Sequence, residues 1–268
     1  MILIFLAIFV LSFHFKEELL KNDSVKIFIV DSEVEADFLK SPALKIQTDI
    51  SHGSKIAAVI RSQSRAEIRA FSAANITGRI DKNNYLTALK KVKNYAVVHP
   101  NQKIIVNISL GFEEKEFQEK IIKEINELKN VILIAAAGNN NREKISYPAR
   151  FEEVIAVAAL ENNKKMAASN YGDNIDFSAS GIIEVTQRHY LPALNLSRKY
   201  KLSGTSFAAP QITALTADIL SLNPELEIKA ALEIIKNTSQ KIETSQFNKG
   251  NLGSGKINKF KALTKANS

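Results

Sequence analysis

The chain has 268 residues and no cysteine, with 45% hydrophobic and 24% charged residues, and its 36 Lys and Arg against 28 Asp and Glu leave a net charge of +8. That length and apolar content suit one sizeable soluble domain with its own core, and the absence of cysteine excludes disulfides, thiolate metal sites and a cysteine nucleophile. The basic surplus is interleaved with acidic residues, as in Glu113-Glu114-Lys115-Glu116; its densest cluster, Lys90, Lys91 and Lys93, falls on an expected helix and reads as a solvated face. No zinc-finger spacing or aromatic RNA-binding signature accompanies it, so no nucleic-acid partner is expected.

In chain order, Met1 to Phe13 is almost wholly apolar, and Lys16, Glu17 and Glu18 follow. The run falls short of the ~20 residues that span a bilayer. It matches the apolar region of a secretory signal, although no Lys or Arg precedes it and no clear small-x-small cleavage site follows. Residues 1–15 are expected to be a signal peptide or a short anchor of an exported protein, with an ordinary buried segment left open as an alternative. Residues 24–268 are expected to form one domain.

Beyond the leader, short apolar, β-branched runs occur at Val25–Val30, Glu67–Phe71, Lys103–Ile108, Val131–Ala137 and Val154–Ala159. Between several of them, apolar residues recur every three to four positions, as in Leu86, Leu89, Val92 and Val97, or Phe117, Ile121, Ile125 and Leu128. Continuous apolar strands separated by amphipathic helices predict an α/β domain: three layers, a doubly wound and mostly parallel sheet with helices on both faces. The last third differs. Ser206 to Leu222 predicts a long apolar helix stopped by Asn223-Pro224, and Glu227 to Asn237 a second one.

Ligand chemistry in such a fold gathers beyond the carboxyl ends of the strands. Asp31, Ser109 and Asn139 each follow an expected strand. Ser206, in Ser203-Gly204-Thr205-Ser206-Phe207-Ala208-Ala209-Pro210, stands at a helix start, where unpaired amides and the helix dipole favour developing negative charge. A serine nucleophile at neutral pH needs an imidazole base, and the histidines are His14, His52, His99 and His189. Each residue alone has a plain alternative: an N-cap serine, a surface histidine, a turn aspartate, a loop asparagine.

Taken together and in order, these segments resemble the subtilases, the peptidases related to subtilisin. Asp31-Ser32 is similar to the family's aspartate motif, His52-Gly53-Ser54 to its histidine motif, and Gly204 to Pro210 to its serine motif. Asn107-Ile108-Ser109-Leu110-Gly111 resembles the segment that pairs with substrate backbone, and Ala135 to Asn139 the other wall of the specificity pocket. Tyr147-Pro148-Ala149, Ser169-Asn170-Tyr171-Gly172 and Gly255-Lys256-Ile257-Asn258 also fit. The chain order Asp, His, Ser is that of subtilisin, and no Gly-x-Ser-x-Gly elbow surrounds Ser206.

The resemblance implies a serine endopeptidase acting on polypeptides. Asp31, His52 and Ser206 would be its triad and Asn139 its oxyanion donor, with Ser109, Leu110, Gly111, Ala136 and Gly138 against the substrate. The Asn75–Gly78 stretch would flank the substrate on its other side, and Ser146 would lie near the pocket floor. It also implies departures. Glu33 stands where the family has glycine, setting a side chain and a negative charge near the triad. The Asp31-to-His52 stretch is short, so calcium, held by surface loops in many relatives, maps onto no residue; no cofactor is expected, with calcium left open. Many secreted relatives carry a folding-assistant domain ahead of the aspartate, and about ten residues separate the leader from Val25. A separate folding or inhibitory chain is one partner this allows, and a catalytically silent peptide-binding protein is the alternative function. The oligomeric state is open.

Overall fold

A computed structural model describes residues 24–40, 50–188, 197–242 and 251–268. The leader at 1–15, His14 and His189 lie outside the described residues.

The strands are β1 (Val25–Asp31), β2 (Glu67–Ser72), β3 (Lys103–Ile108), β4 (Val131–Ala136), β5 (Val154–Glu161), β6 (Lys164–Lys165), β7 (Phe177–Ser180), β8 (Ile182–Arg188) and β9 (Ser197–Ser203). The helices are α1 (Ala36–Lys40), α2 (His52–Gln63), α3 (Lys82–Val98), α4 (Glu116–Asn126), α5 (Thr205–Leu222), α6 (Ile228–Thr238) and α7 (Lys259–Ala266). The main sheet runs β2-β1-β3-β4-β5, with β7 pairing parallel to β5 and only the two-residue β6 antiparallel. β8 and β9 form a separate antiparallel ribbon.

The three-layer expectation holds, and the strands show why. All seven residues of β1 are buried, and alternate side chains enter opposite cores. Ile27 and Ile29 pack with Ile56, Ile212 and Leu215 of α2 and α5. Phe28 and Val30 pack with Leu89, Val92 and Ile122 of α3 and α4. A strand covered on both faces has no reason to alternate apolar with polar, which is why these runs are continuous.

The strand order places a switch point between β1 and β3, since the chain leaves β1 toward β2 and returns on the other side to β3. Connections there diverge and open a crevice beyond the strand ends. Asp31 ends β1 and Ser109 follows β3, so both stand at this crevice.

Candidate active site

Two helices point their first turns at the crevice. α2 opens with His52, behind the N-cap Ser51, whose Oγ accepts from Ser54 N at 3.1 Å. Such a cap is worth about 1 kcal/mol. Ser51 Oγ also donates to the Glu33 carbonyl at 2.5 Å, and Gly53 N donates to Ser32 Oγ at 2.8 Å. The turn after β1 is thereby stitched to the start of α2. A Cβ on Gly53 would stand 2.6 Å from the Ser32 carbonyl oxygen and 2.8 Å from that of Glu33, so only glycine lets the two segments approach this closely.

The result is an ion-pair geometry. His52 Nδ1 lies 2.8 Å from Asp31 Oδ1, which also accepts from Ser32 N at 2.7 Å. Asp31 is fully buried, while 40% of the imidazole faces solvent. An Nδ1–H donated to the carboxylate leaves Nε2 free as a base toward the open side. His99 is used differently. It caps α3, with Nδ1 2.9 Å from the Tyr95 carbonyl and its ring stacked 3.9 Å from that of Tyr95. Glu33 is exposed, and its side chain makes no hydrogen bond or ion pair among the described residues.

Ser206 is the second residue of α5, preceded by Gly204 with φ 142°. The ring of Phe207 lies 6.1 Å from that of His52, which brings the two helix starts side by side. Ser206 Oγ donates to the Ser109 carbonyl at 3.3 Å, and no hydrogen bond to His52 is present among the described residues.

The backbone of Ser206 is held by a substitution of donors. Pro210 stands four residues on inside α5 and has no N–H to offer the Ser206 carbonyl. The Ser109 hydroxyl donates to that carbonyl at 3.0 Å instead. Ser109 Oγ in turn accepts from Asn107 Nδ2 at 3.0 Å, and Asn107 Oδ1 accepts from Thr213 Oγ1 at 3.2 Å. Ser109, expected at the substrate edge, is thus 95% buried with its hydroxyl turned into α5. It is followed by the half-buried Leu110 and the exposed Gly111.

Asn139 is exposed, yet its amide is oriented. Its Oδ1 accepts from Thr205 N at 2.8 Å and from Thr205 Oγ1 at 3.1 Å, which leaves Nδ2 as the free donor. The same Thr205 hydroxyl accepts from Gly138 N at 3.2 Å. Sequence reasoning missed Thr205. Its place beside Ser206 was visible, but its partners lie 66 and 67 residues away.

Ala136 ends β4, and Phe112 and Tyr147 exchange backbone hydrogen bonds of 2.7 and 2.9 Å. Ser146 lies between Gly111 and Gly138: a Cβ on Gly111 would stand 3.2 Å from its Cβ, and one on Gly138 would stand 2.6 Å from its Oγ. The Asn75–Gly78 stretch is a tight turn, with Gly78 N donating to the Asn75 carbonyl at 2.9 Å and Ile76 fully exposed at its tip.

Calcium takes six to eight oxygen ligands, carboxylates prominent among them. Among the described residues no group of three His, Cys, Asp or Glu side chains could hold a metal.

A model of the subtilase family of peptidases matches residues 25–255. Halolysin of Haloferax mediterranei is 31% identical over 60% of the chain and 29% of its own length. The minor extracellular protease Epr of Bacillus subtilis is 28% identical over 81% of the chain and 35% of its own length. Subtilisin BL of Lederbergia lenta is 29% identical over 58% of the chain and 54% of its own length. The chain therefore spans about half the length, or less, of these curated relatives. Among solved structures, a protease of Pseudoalteromonas arctica superposes with a TM-score of 0.70 at 17% identity, covering 94% of this chain and 93% of that one. The prenylagaramide maturation protease PagA gives 0.68 at 21%, covering 93% and 98%. These likenesses establish the fold.

Proposed function

The chain belongs to the subtilase family, and from that premise we propose that it is an exported serine endopeptidase hydrolysing polypeptides. Asp31, His52 and Ser206 are its triad and Asn139 its oxyanion donor. The observation that carries the reading is the 2.8 Å Asp31–His52 pair at the mouth of the crevice, beside the helix start that bears Ser206.

In this reading an extended substrate pairs with the backbone of Ser109 to Gly111, and its side chain enters between the walls above Ser146. Ser206 Oγ turns from the Ser109 carbonyl toward His52 Nε2, a hydrogen bond that commonly forms only with substrate in place. As Oγ attacks the scissile carbonyl carbon, Nε2 takes its proton, and Asp31 stabilises the imidazolium while fixing its orientation. The tetrahedral oxyanion is held by Asn139 Nδ2–H and by the Ser206 backbone N–H. His52 then gives its proton to the leaving amine, and water reverses the steps on the acyl-enzyme. Export is supported by the likeness to Epr of Bacillus subtilis, an extracellular protease.

A second reading has one observation in its favour. Ser206 Oγ is engaged with Ser109 and not with His52, as it would be in a silent cleft that only binds peptides. Casein digestion by the purified protein, compared with Ser206→Ala, separates the two. Digestion abolished by the substitution supports the peptidase; a folded protein that leaves casein intact supports the silent cleft.

A further inference from the structure

Behind the oxyanion loop a lysine sits among oxygens, with no carboxylate of the described residues to answer its charge. Lys165 ends β6, and its Nζ donates to Asn141 Oδ1 at 2.7 Å and to the carbonyls of Met166, Ala167 and Ser169 at 3.2, 3.3 and 3.2 Å. The Tyr171 ring centroid lies 5.0 Å away. No carboxylate reaches ion-pair distance of this ammonium among the described residues. Four oxygens share three N–H donors, which is the environment of a cation in an oxygen cage. Burial pushes the Lys165 ammonium below its ordinary pKa.

The cage has a second side. The turn that supplies the three carbonyls is the surface on which the oxyanion loop lies. Asn141, held at φ 51°, donates its N–H to the Ala168 carbonyl at 2.8 Å. Asn170 Oδ1 accepts from Asn140 N and Arg142 N at 2.9 and 3.1 Å, and its Nδ2 donates to the Ala137 carbonyl at 3.0 Å. Residues 137–142, with Asn139 in their midst, are therefore moulded on residues 166–170. Three carbonyl dipoles converging on one point repel each other unless a positive charge fills it.

We propose that the Lys165 ammonium is a built-in cation that holds this turn together and so positions Asn139, which makes Lys165 a positioning residue for peptide hydrolysis. The proposal rests on the reading of Asn139 as oxyanion donor. Without the charge, the carbonyls part, Asn141 loses its partner, and Asn139 drifts from the place where charge develops in the transition state. Substrate binding along Ser109 to Gly111 is untouched, so the loss falls on kcat.

The test compares Lys165→Met, Lys165→Ala and, as control, Lys164→Met at the exposed neighbouring lysine. Two readouts are taken on the full chain: amide hydrogen exchange of residues 137–142 and 166–171, and kcat and KM on a peptide substrate. Lys165→Met is expected to speed exchange in those two segments alone and to lower kcat about tenfold, less than the roughly 10²–10³ of losing a donor outright, with KM within about twofold. Added methylammonium is expected to restore part of kcat in Lys165→Ala, and Lys164→Met to change nothing. Unchanged exchange in Lys165→Met, or faster exchange spread over the whole domain, overturns the proposal. Faster local exchange in Lys165→Met, alongside a wild-type chain that hydrolyses nothing, would leave the cage standing and sink the peptidase reading alone.

Discussion

The two helix layers that cover the sheet are built to different rules. α3 and α4 bury one face each, and their outer faces carry ion pairs such as Lys93–Glu124 at 2.9 Å, Lys123–Glu119 at 2.8 Å and, from the α3 start, Lys82–Glu114 at 2.7 Å. α5 is instead buried at 15 of its 18 positions, among them Thr205, Thr213, Thr216 and Asp218. A helix enclosed all round is gripped from every side, and the polar groups it buries need partners of fixed geometry. Thr213 finds Asn107, the Ser206 carbonyl finds Ser109, and Thr205 finds Asn139. Two of the proposed catalytic side chains, His52 and Ser206, therefore sit at the starts of helices in the layer of α5, where neighbours over-determine each side chain, and away from the layer held by one face and by solvent-screened charges.

Substitutions can break or sharpen this contrast. The largest effect is expected at Ser206→Ala, which should lower kcat/KM on a peptide substrate by at least about 10⁴-fold, since triad members act as a unit. Asn139→Ala should cost roughly 10²–10³-fold, mostly in kcat, the range known for oxyanion donors from subtilisin itself. Gly204→Ala tests the grip indirectly: its Cβ would stand 3.2 Å from Asn139 Nδ2 at a φ of 142°. It should cost about tenfold in kcat through the displaced amide. At the other extreme, Lys93→Met in the outer layer removes a half-exposed ion pair and should shift stability by less than about 1 kcal/mol in a denaturation curve, with activity unchanged.

One prediction concerns the far end of α5. Burial raises the Asp218 pKa above its ordinary value despite Lys259, 3.1 Å away, and the Ser64 hydroxyl. A raised folded-state pKa means that the native protein holds a proton the unfolded chain releases. The contribution is therefore favourable below the ordinary aspartate value and fades as pH rises through the raised one. Asp218→Asn should remove this contribution, so that its Tm falls less, or rises more, than that of the wild type as pH climbs above about 4. An identical pH profile for the two proteins would remove the buried carboxylate from the account.

The same contrast explains what was legible in the sequence. The expected strands at 25–30, 67–71, 103–108, 131–137 and 154–159 lie within a residue or two of β1 to β5, because burial on both faces leaves an unbroken apolar run. α5 and α6 start and stop within one residue of expectation for a similar reason, Asn223-Pro224 being an unambiguous break. The β8–β9 ribbon was not anticipated. Its strands carry Glu184, Arg188, Arg198, Lys199 and Lys201, so no apolar run marks them. β7, four residues long with three of them Ser or Ala, is too short and small to announce itself. At the site, Asp31, His52, Asn139 and Ser206 stood out through motif order. Thr205, Asn170, Lys165 and the inward turn of the Ser109 hydroxyl did not, since each acts through a partner set only by the packed fold.

The most direct test of the central claim is labelling with a fluorophosphonate, with the adduct located by peptide mass mapping in the wild type and in His52→Ala. A single adduct on Ser206, lost or strongly slowed in His52→Ala, is the predicted result. A folded wild-type chain that forms no adduct on Ser206, or forms it equally fast without His52, would contradict the account.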